Sequence, residues 1–278
     1  MRNLEPMRKI VRSETAKRLK KLAAELRHVA HEPKEAAAIH DLRVSIRRLS
    51  RELRVFEAWF GAKRVKSIRR RLRKLMDHCA AVRNCDVAIE VLQEAGVQNA
   101  DLVAGLEKEG RRTRAELARK LASWRRVHRV RKWRGQLRAA ELPTTFEESA
   151  RSLLLPLMEN LFRAGQEAAR PGSSHREMHQ FRLKAKRIRY TLELFEPVYG
   201  AKSAKITESL KGLQSKLGAI NDCAATLQMI RLDRAAADGV RRLASEREAE
   251  FRSYWKKHFG PREKKQWKAV LSAADGNK

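Results

Sequence analysis

Most ready explanations of a 278-residue chain need something this one has little of. It has three cysteines, Cys79, Cys85 and Cys223. An odd, small set without close pairing cannot build a disulfide framework, and it predicts free thiols in a reducing compartment. Glycine (13) and proline (7) are sparse and fall between periodic segments, and Val/Ile/Thr-rich runs with period-two alternation are missing. That excludes a turn-rich β architecture and predicts an all-α chain. No stretch approaches the ~18 apolar residues of a membrane span. The basic start, MRNLEPMRKIVRSE, has no apolar run after it, so no signal peptide is expected and a soluble cytoplasmic protein is. Aromatics are only 6%, too few to supply stacking platforms for single-stranded nucleic acid. Acid is the scarcest ingredient: 33 Asp and Glu face 63 Lys and Arg, a net charge of +30.

A compact body with that excess repels itself, which costs stability. The simplest compensation is a polyanionic partner: nucleic acid, an anionic membrane, or an inorganic phosphate polymer. Hydrophobic residues make up 42%, enough for a real core, so the chain is not a disordered basic tail. Apolar spacing predicts helices over Val11–His31, from Pro33 to Phe60, Lys63 to Val82, Asn84 to about Gly96, 101–122 and 124–141. After a break at Pro143, helices are expected over Phe146–Ala169, then from a capping box at Ser174 and Glu177 to Pro197, over Lys202–Ile220, and on through Trp267.

The chain also repeats itself. HDLRVSIRRLSRELRVFEAWFGAK opens at His40, and HQFRLKAKRIRYTLELFEPVYGAK opens at His179, an offset of 139 (179 − 40). Downstream, AAVRNCDVAIEVL from Ala80 resembles GAINDCAATLQMI from Gly218 at an offset of 138 (218 − 80). This predicts a duplication of about half the chain, with an N-terminal half 1–142 and a C-terminal half 143–278. Two such helical bundles are expected to pack about a pseudo-twofold axis.

At 100° per residue, Arg43, Arg47, Arg51 and Arg54 fall within about 60° of His40. Leu42, Ile46, Leu49, Leu53, Phe56 and Phe60 lie opposite. In the second copy His179, Arg182 and Lys186 share the basic face, with Lys184, Arg187 and Arg189 flanking it. A solvated charge run is the plain reading of such a face. Against it, no acid stands between Arg43 and Arg51, Val44 and Leu183 interrupt the basic faces in a way that points to partial burial, and the pattern occurs twice. Guanidinium forks suit phosphate oxygens, and a row of them at one-turn spacing could follow a linear polyanion. A histidine among arginines should have its charged form disfavoured.

His-x-x-Arg-Val-x-x-Arg-Arg-Leu in 40–49 and His-x-x-Arg-Leu-x-x-Lys-Arg-Ile-Arg-Tyr in 179–190, with AVRNCDVA and AINDCAA after them, resemble the CHAD domain, the conserved histidine α-helical domain. The resemblance covers about residues 11 to 260. It implies two pseudo-twofold-related helical bundles with a basic cavity or pore between them. It also implies binding of inorganic polyphosphate and association with polyphosphate granules and their proteins. By the resemblance His40, Arg43, Arg47, Arg48, His179, Arg182, Lys186, Arg187 and Arg189 bind the polymer; Ser50 stands where the family usually carries a basic residue. Arg69, Arg73, Lys205 and Lys216, on the helices that follow, are candidate walls of the same cavity.

Other signals are weaker. His78, Cys79 and Cys85 lack a fourth metal ligand, and a buried cysteine acting as a small hydrophobe explains Cys79 better. Neither metal nor cofactor is expected. Asp86 and Asp222 read as residues near helix starts. There is no Walker A loop, no HExxH and no acid cluster, nor the ExExK motif of the triphosphate tunnel enzymes that some relatives of the family carry, so a binding protein is favoured over an enzyme. The basic stretches RRTRAELARK (111–120) and WRRVHRVRKWR (124–134) keep weak non-specific nucleic-acid binding in view, and the 101–141 helices could also serve as a scaffold's contact surface.

Overall fold

In the computed structural model the described residues are 5–33, 35–125, 129–137, 145–230 and 232–273, excepting the side chains of 5–10, 123–125, 129 and 131. Among them every regular element is a helix: α1 (Glu5–His31), α2 (Ala36–Val55), α3 (Glu57–Phe60), α4 (Ala62–Glu94), α5 (Ala100–Arg125), α6 (Arg129–Gln136), α7 (Phe146–Ala168), α8 (His175–Leu194), α9 (Glu196–Tyr199), α10 (Ala204–Met229), α11 (Arg234–His258) and α12 (Pro261–Ser272), with a 3₁₀ turn at Gly200–Ser203. They cluster into two compact units. One lies within Met1–Ile89 and Ala100–Pro143, the other within Glu90–Asn99 and Thr144–Lys278. The expected break at Pro143 lies outside the described residues.

In the first unit α1 packs along α2, and α5 and α6 also pack on α1. The apolar face read from the sequence is the buried one: Leu42, Ile46, Leu49 and Leu53 of α2 meet water at 2% or less. The helix expected to run on to Phe60 breaks instead at Phe56 (φ −100°, ψ 28°), whose buried ring lies 5.6 Å from that of Trp59. Gly61, with φ 85°, then turns the chain into α4.

The helices expected on either side of Asn84 are one helix. Asn84 is a weak helix former, which favoured a break there. Leu75, Cys79, Val82, Cys85, Ala88 and Leu92 continue at three- and four-residue spacing and are all buried, so packing outweighs propensity. Asp86 and Asp222 therefore lie inside α4 and α10 rather than near helix starts. Asp86 is instead ion-paired with Arg114 of α5.

In the second unit α8 packs against α7 and α10, α11 against α10, and α12 against α7. The Ser174 box forms as read: Glu177 N–H donates to Ser174 Oγ at 3.3 Å, and Ser174 N–H donates to Glu177 Oε2 at 2.6 Å. A second box, Thr145 with Glu148, starts α7. The final turn of α4 clusters here too, where Glu94 pairs with Arg247 and Asn99 donates to Asp233 at 2.7 Å. No helix among the described residues is long and apolar enough to cross a membrane.

Two features make stability measurable site by site. Trp255 stacks on Phe259 at 4.6 Å and meets Phe181 edge-on at 5.2 Å, and its ring edge lies where a Cβ on Gly165 would stand, 1.9 Å away. Gly165→Ala gains helix propensity of ~1 kcal/mol but must displace a rigid indole. The net should be destabilising by about 1–3 kcal/mol, read from urea unfolding.

The other is Glu52 of α2, 1% exposed, held by the Thr15 hydroxyl and 2.5 Å from Arg18 Nε, both on α1. Burial pushes its carboxyl from 4.5 up to about 7, against the pull of Arg18 and Thr15. A folded-state value above the unfolded one gives stability that is complete below pH 4.5 and is lost as pH rises through about 7. Relative to wild type, Glu52→Gln should therefore gain on the order of 3 kcal/mol between about pH 4.5 and 8. Denaturant titrations of both proteins across that range check it.

Candidate anion-binding strips

In the first unit the basic face of α2 lies beside α4. Its apolar seam fixes the helix rotation, and every side chain opposite the seam is thereby aimed. Arg43, Arg47, Arg48 and Arg51 are half-buried, whereas His40 and Arg54 are exposed. At one end Arg43, Arg47 and Arg83 of α4 act on the His40 ring. Partial burial, then Arg47, lowers its pKa below 6.5, with Arg43 and Arg83 adding to the effect and Asp41 opposing it. At the other end Arg69 of α4 is half-buried near Arg54 and Arg73, and burial and those two charges work against its own, with Glu57 opposing. His40 beside Arg83 and Arg54 beside Arg69 make α2 and α4 antiparallel, with cations spread over roughly 21 Å between residues 40 and 54. The Nε atoms of Arg47 and Arg69 are buried with no hydrogen-bond partner among the described residues.

The second unit has its own strip on α8 and α10. His179 is half-buried, and its Nδ1 lies 2.9 Å from Asn221 Oδ1. The amide oxygen accepts, so Nδ1 carries the proton of this bond. Arg182, Lys186 and Arg189 are half-buried; Arg187 is exposed. Across the seam Gln214 of α10 donates to the Ala185 carbonyl at 2.8 Å.

Not every candidate joins these strips. Arg189 pairs with Glu193 at 3.3 Å and lies 4.8 Å above the Tyr190 ring. Lys216 is held at 2.7 Å by Glu250 of α11. Lys205 is exposed at the start of α10. Leu183, expected to be partly buried, is 45% exposed, while Val44 is half-buried. His78 lies 3.5 Å from Glu116, and burial pushes the Cys79 thiol up to about 12. Among the described residues no three His, Cys, Asp or Glu side chains are placed to hold a metal ion.

Arg83 and Asn221 were missed in the sequence, although a signal was there. They occupy the same position of the downstream repeat, 138 apart (221 − 83), and in each unit that position meets the motif histidine. Arg247 was missed as well. Its side chain, 11% exposed, donates to the Ala219 carbonyl at 3.0 Å and pairs with Glu94, bracing the downstream motif as Arg114 braces Asp86.

Among the described residues, fold and strips together define an all-helical protein with a histidine-led row of cations in each unit, on α2 in one and on α8 in the other. The model of the CHAD domain matches residues 14–231, and the chain belongs to that family. The structure is similar to the CHAD domain of the plant Ricinus communis, with a TM-score of 0.67 at 20% identity over 98% of this chain and 93% of that one. It is also similar to PptA from Streptomyces chartreusis, with a TM-score of 0.62 at 17% identity over 94% and 98%. No curated protein matches the chain.

Arg83 is the smallest of the cationic influences on His40, after burial, Arg47 and Arg43, so its effect on that titration should be slight. In Arg83→Ala the His40 pKa should rise toward its ordinary 6.5. Imidazole proton NMR against pH reads this directly. An unmoved titration would show that Arg83 does not act on the ring.

Proposed function

We propose that the chain binds inorganic polyphosphate along its histidine-led strips, as a binding protein rather than an enzyme. The supporting observation is the pair of buried, unpartnered Nε atoms on Arg47 and Arg69, each within a cluster of like charges. A buried donor without an acceptor costs about 1–3 kcal/mol, and crowding of cations adds to that. A linear phosphate chain relieves both, because it offers oxygen acceptors and negative charge at every few ångströms along one line. Membership of the family and the second strip on α8 support the same reading. The polymer follows each strip through charge-assisted bonds from Arg43, Arg47, Arg48, Arg51 and Arg54, and from Arg182, Lys186 and Arg187, with His40 and His179 at the strip ends. We place this binding in the cytoplasm, at polyphosphate granules.

The rival ligand is nucleic acid, which a charge of +30 attracts without specificity. The experiment is competition between long-chain polyphosphate, duplex DNA and single-stranded RNA at near-physiological salt. Polyphosphate should displace both. Arg47→Ala and Lys186→Ala should each weaken polyphosphate binding by roughly 1–3 kcal/mol while helix content and Tm stay unchanged. Retention of DNA against polyphosphate would overturn the proposal. An effect of only one substitution would confine binding to one unit.

A further inference from the structure

The two copies of the repeat differ where their basic rows begin. One turn before His40, α2 carries Ala36. The corresponding place on α8, at the same offset of 139 (175 − 36), holds His175, the first residue of that helix. At 100° per residue His179, Arg182 and Lys186 all fall within about 40° of His175. The row on α8 therefore starts one turn earlier than the motif histidine, and from His175 to Lys186 it covers about 16 Å. The rings of His175 and His179 are neighbours, with centroids 6.2 Å apart and planes tilted by 38°.

Nothing in the helix start requires a histidine here. The capping box uses Ser174 and Glu177, whose carboxylate accepts from the Ser174 N–H and hydroxyl at 2.6 and 2.7 Å. His175 is exposed, whereas His179 is half-buried and bonded to Asn221 of α10. An exposed imidazole is thus set at the head of a line that continues in half-buried Arg182 and Lys186.

The charges around the ring decide what it can do. Partial burial and then the His179 ring disfavour the imidazolium of His175 and hold its pKa below 6.5, while Glu248 of α11 opposes them. The Glu248 carboxylate also accepts from Arg252 on its own helix, at 3.3 Å, which leaves it less able to neutralise His175. From α10 the adjacent ring meets the neutral amide of Asn221, and among the described residues α7 brings no charge that acts on His175. In the empty strip His175 is therefore chiefly neutral at pH 7. An anion lying along the row puts negative charge beside the imidazole and favours its protonated form.

We propose that His175 is a further anion-binding residue of the α8 strip, one that takes up a proton when polyphosphate fills the strip, so that this strip holds the polymer more tightly as pH falls below neutral. The identity of the anion rests on the polyphosphate reading; the residue and its proton do not. Linkage fixes the sign. Proton uptake raises affinity wherever the empty site is neutral and the filled site charged. Above the filled-site value the ring is neutral in both states and the gain is absent. Below the empty-site value it is charged in both and the gain is complete. Arg182 and Lys186 stay charged across this range and give no such response, and Ala36 gives α2 no counterpart.

The test uses the full chain carrying His40→Gln, which takes the α2 histidine out of the comparison, and the same protein with His175→Gln added. Long-chain polyphosphate affinity is measured from about pH 5.5 to 8.5 at fixed ionic strength. At the alkaline end the two should agree within about threefold, the worth of a neutral hydrogen bond. At the acid end the protein that keeps His175 should bind roughly tenfold more tightly, as a one-unit shift gives. His175→Lys, a permanent charge, should bind tightly at both ends. Imidazole proton NMR identifies the His175 signal by its loss in His175→Gln. Its midpoint should rise by about one unit when inorganic tripolyphosphate is added, with Tm the same in all variants. Parallel affinity curves, or a midpoint that tripolyphosphate leaves unmoved, would overturn the proposal. Tripolyphosphate reports any phosphate anion at α8, so a chain that kept DNA against polyphosphate would lose the polyphosphate reading while the His175 midpoint still rose.

Discussion

Everything in this molecule depends on holding like charges close together. A surplus of +30 on 278 residues opposes compaction, and part of it stands in the rows of cations on α2 and α8. What holds the cations in place is apolar. Leu42, Ile46, Leu49 and Leu53 in one unit, and Phe181, Ala185, Ile188 and Leu192 in the other, are buried nearly completely. Each of these leucine, isoleucine and phenylalanine side chains contributes about 1.5–3 kcal/mol when removed from water, which offsets repulsion between partly solvated cations. The basic face follows because a helix with its apolar stripe fixed has no freedom left to rotate.

The cations divide by what faces them. Arg114, Arg247, Lys216 and Arg189 each meet a carboxylate, and the first two brace the downstream motifs from neighbouring helices. Arg69 feels the charges of Arg54 and Arg73 against that of Glu57, and Arg47 acts on the His40 ring together with Arg43 and Arg83. Scarce acid is spent on architecture. With fewer carboxylates than cations, some arginines serve as structural ion-pair partners while others, such as Arg69, stand close to further cations.

Helix α4 carries this division further, since its Arg83 acts on His40 of α2 while its Asp86 pairs with Arg114 of α5. A helix of 33 residues makes nine turns at 3.6 residues per turn, enough to serve two surfaces at once. Its continuity matters for that. A break at Asn84 would uncouple Arg83, which acts on His40, from Asp86, which Arg114 anchors.

Much of this was legible in the sequence because it follows from periodicity. The all-helical class, the buried stripe of α2, the capping box at Ser174 and the basic rows led by His40 and His179 depend on spacing along one chain, which a helix converts into direction without help from neighbours. What stayed hidden depends on which helices meet. Asn84 looked like a break until the burial of Val82, Cys85 and Ala88 outweighed its propensity. Glu52 looked like one more charge on a polar turn, and only α1, bringing Thr15 and Arg18 to it, makes it a buried carboxyl titrating near 7. Arg83 and Asn221 hold corresponding positions of two similar stretches that the sequence marks without a role; in the structure Asn221 bonds His179 and the charge of Arg83 reaches His40. For Arg189 and Lys216 the spacing showed only basic side chains; the structure adds a carboxylate to each, Glu193 on the same helix and Glu250 on α11. The sequence by itself determined which way each side chain points from its own helix, because a 3.6-residue period is a local property. Only the tertiary structure decided what each side chain faces, because partners such as Arg83 for His40, or Asn221 for His179, come from segments tens of residues away, and nothing in the local spacing encodes that meeting.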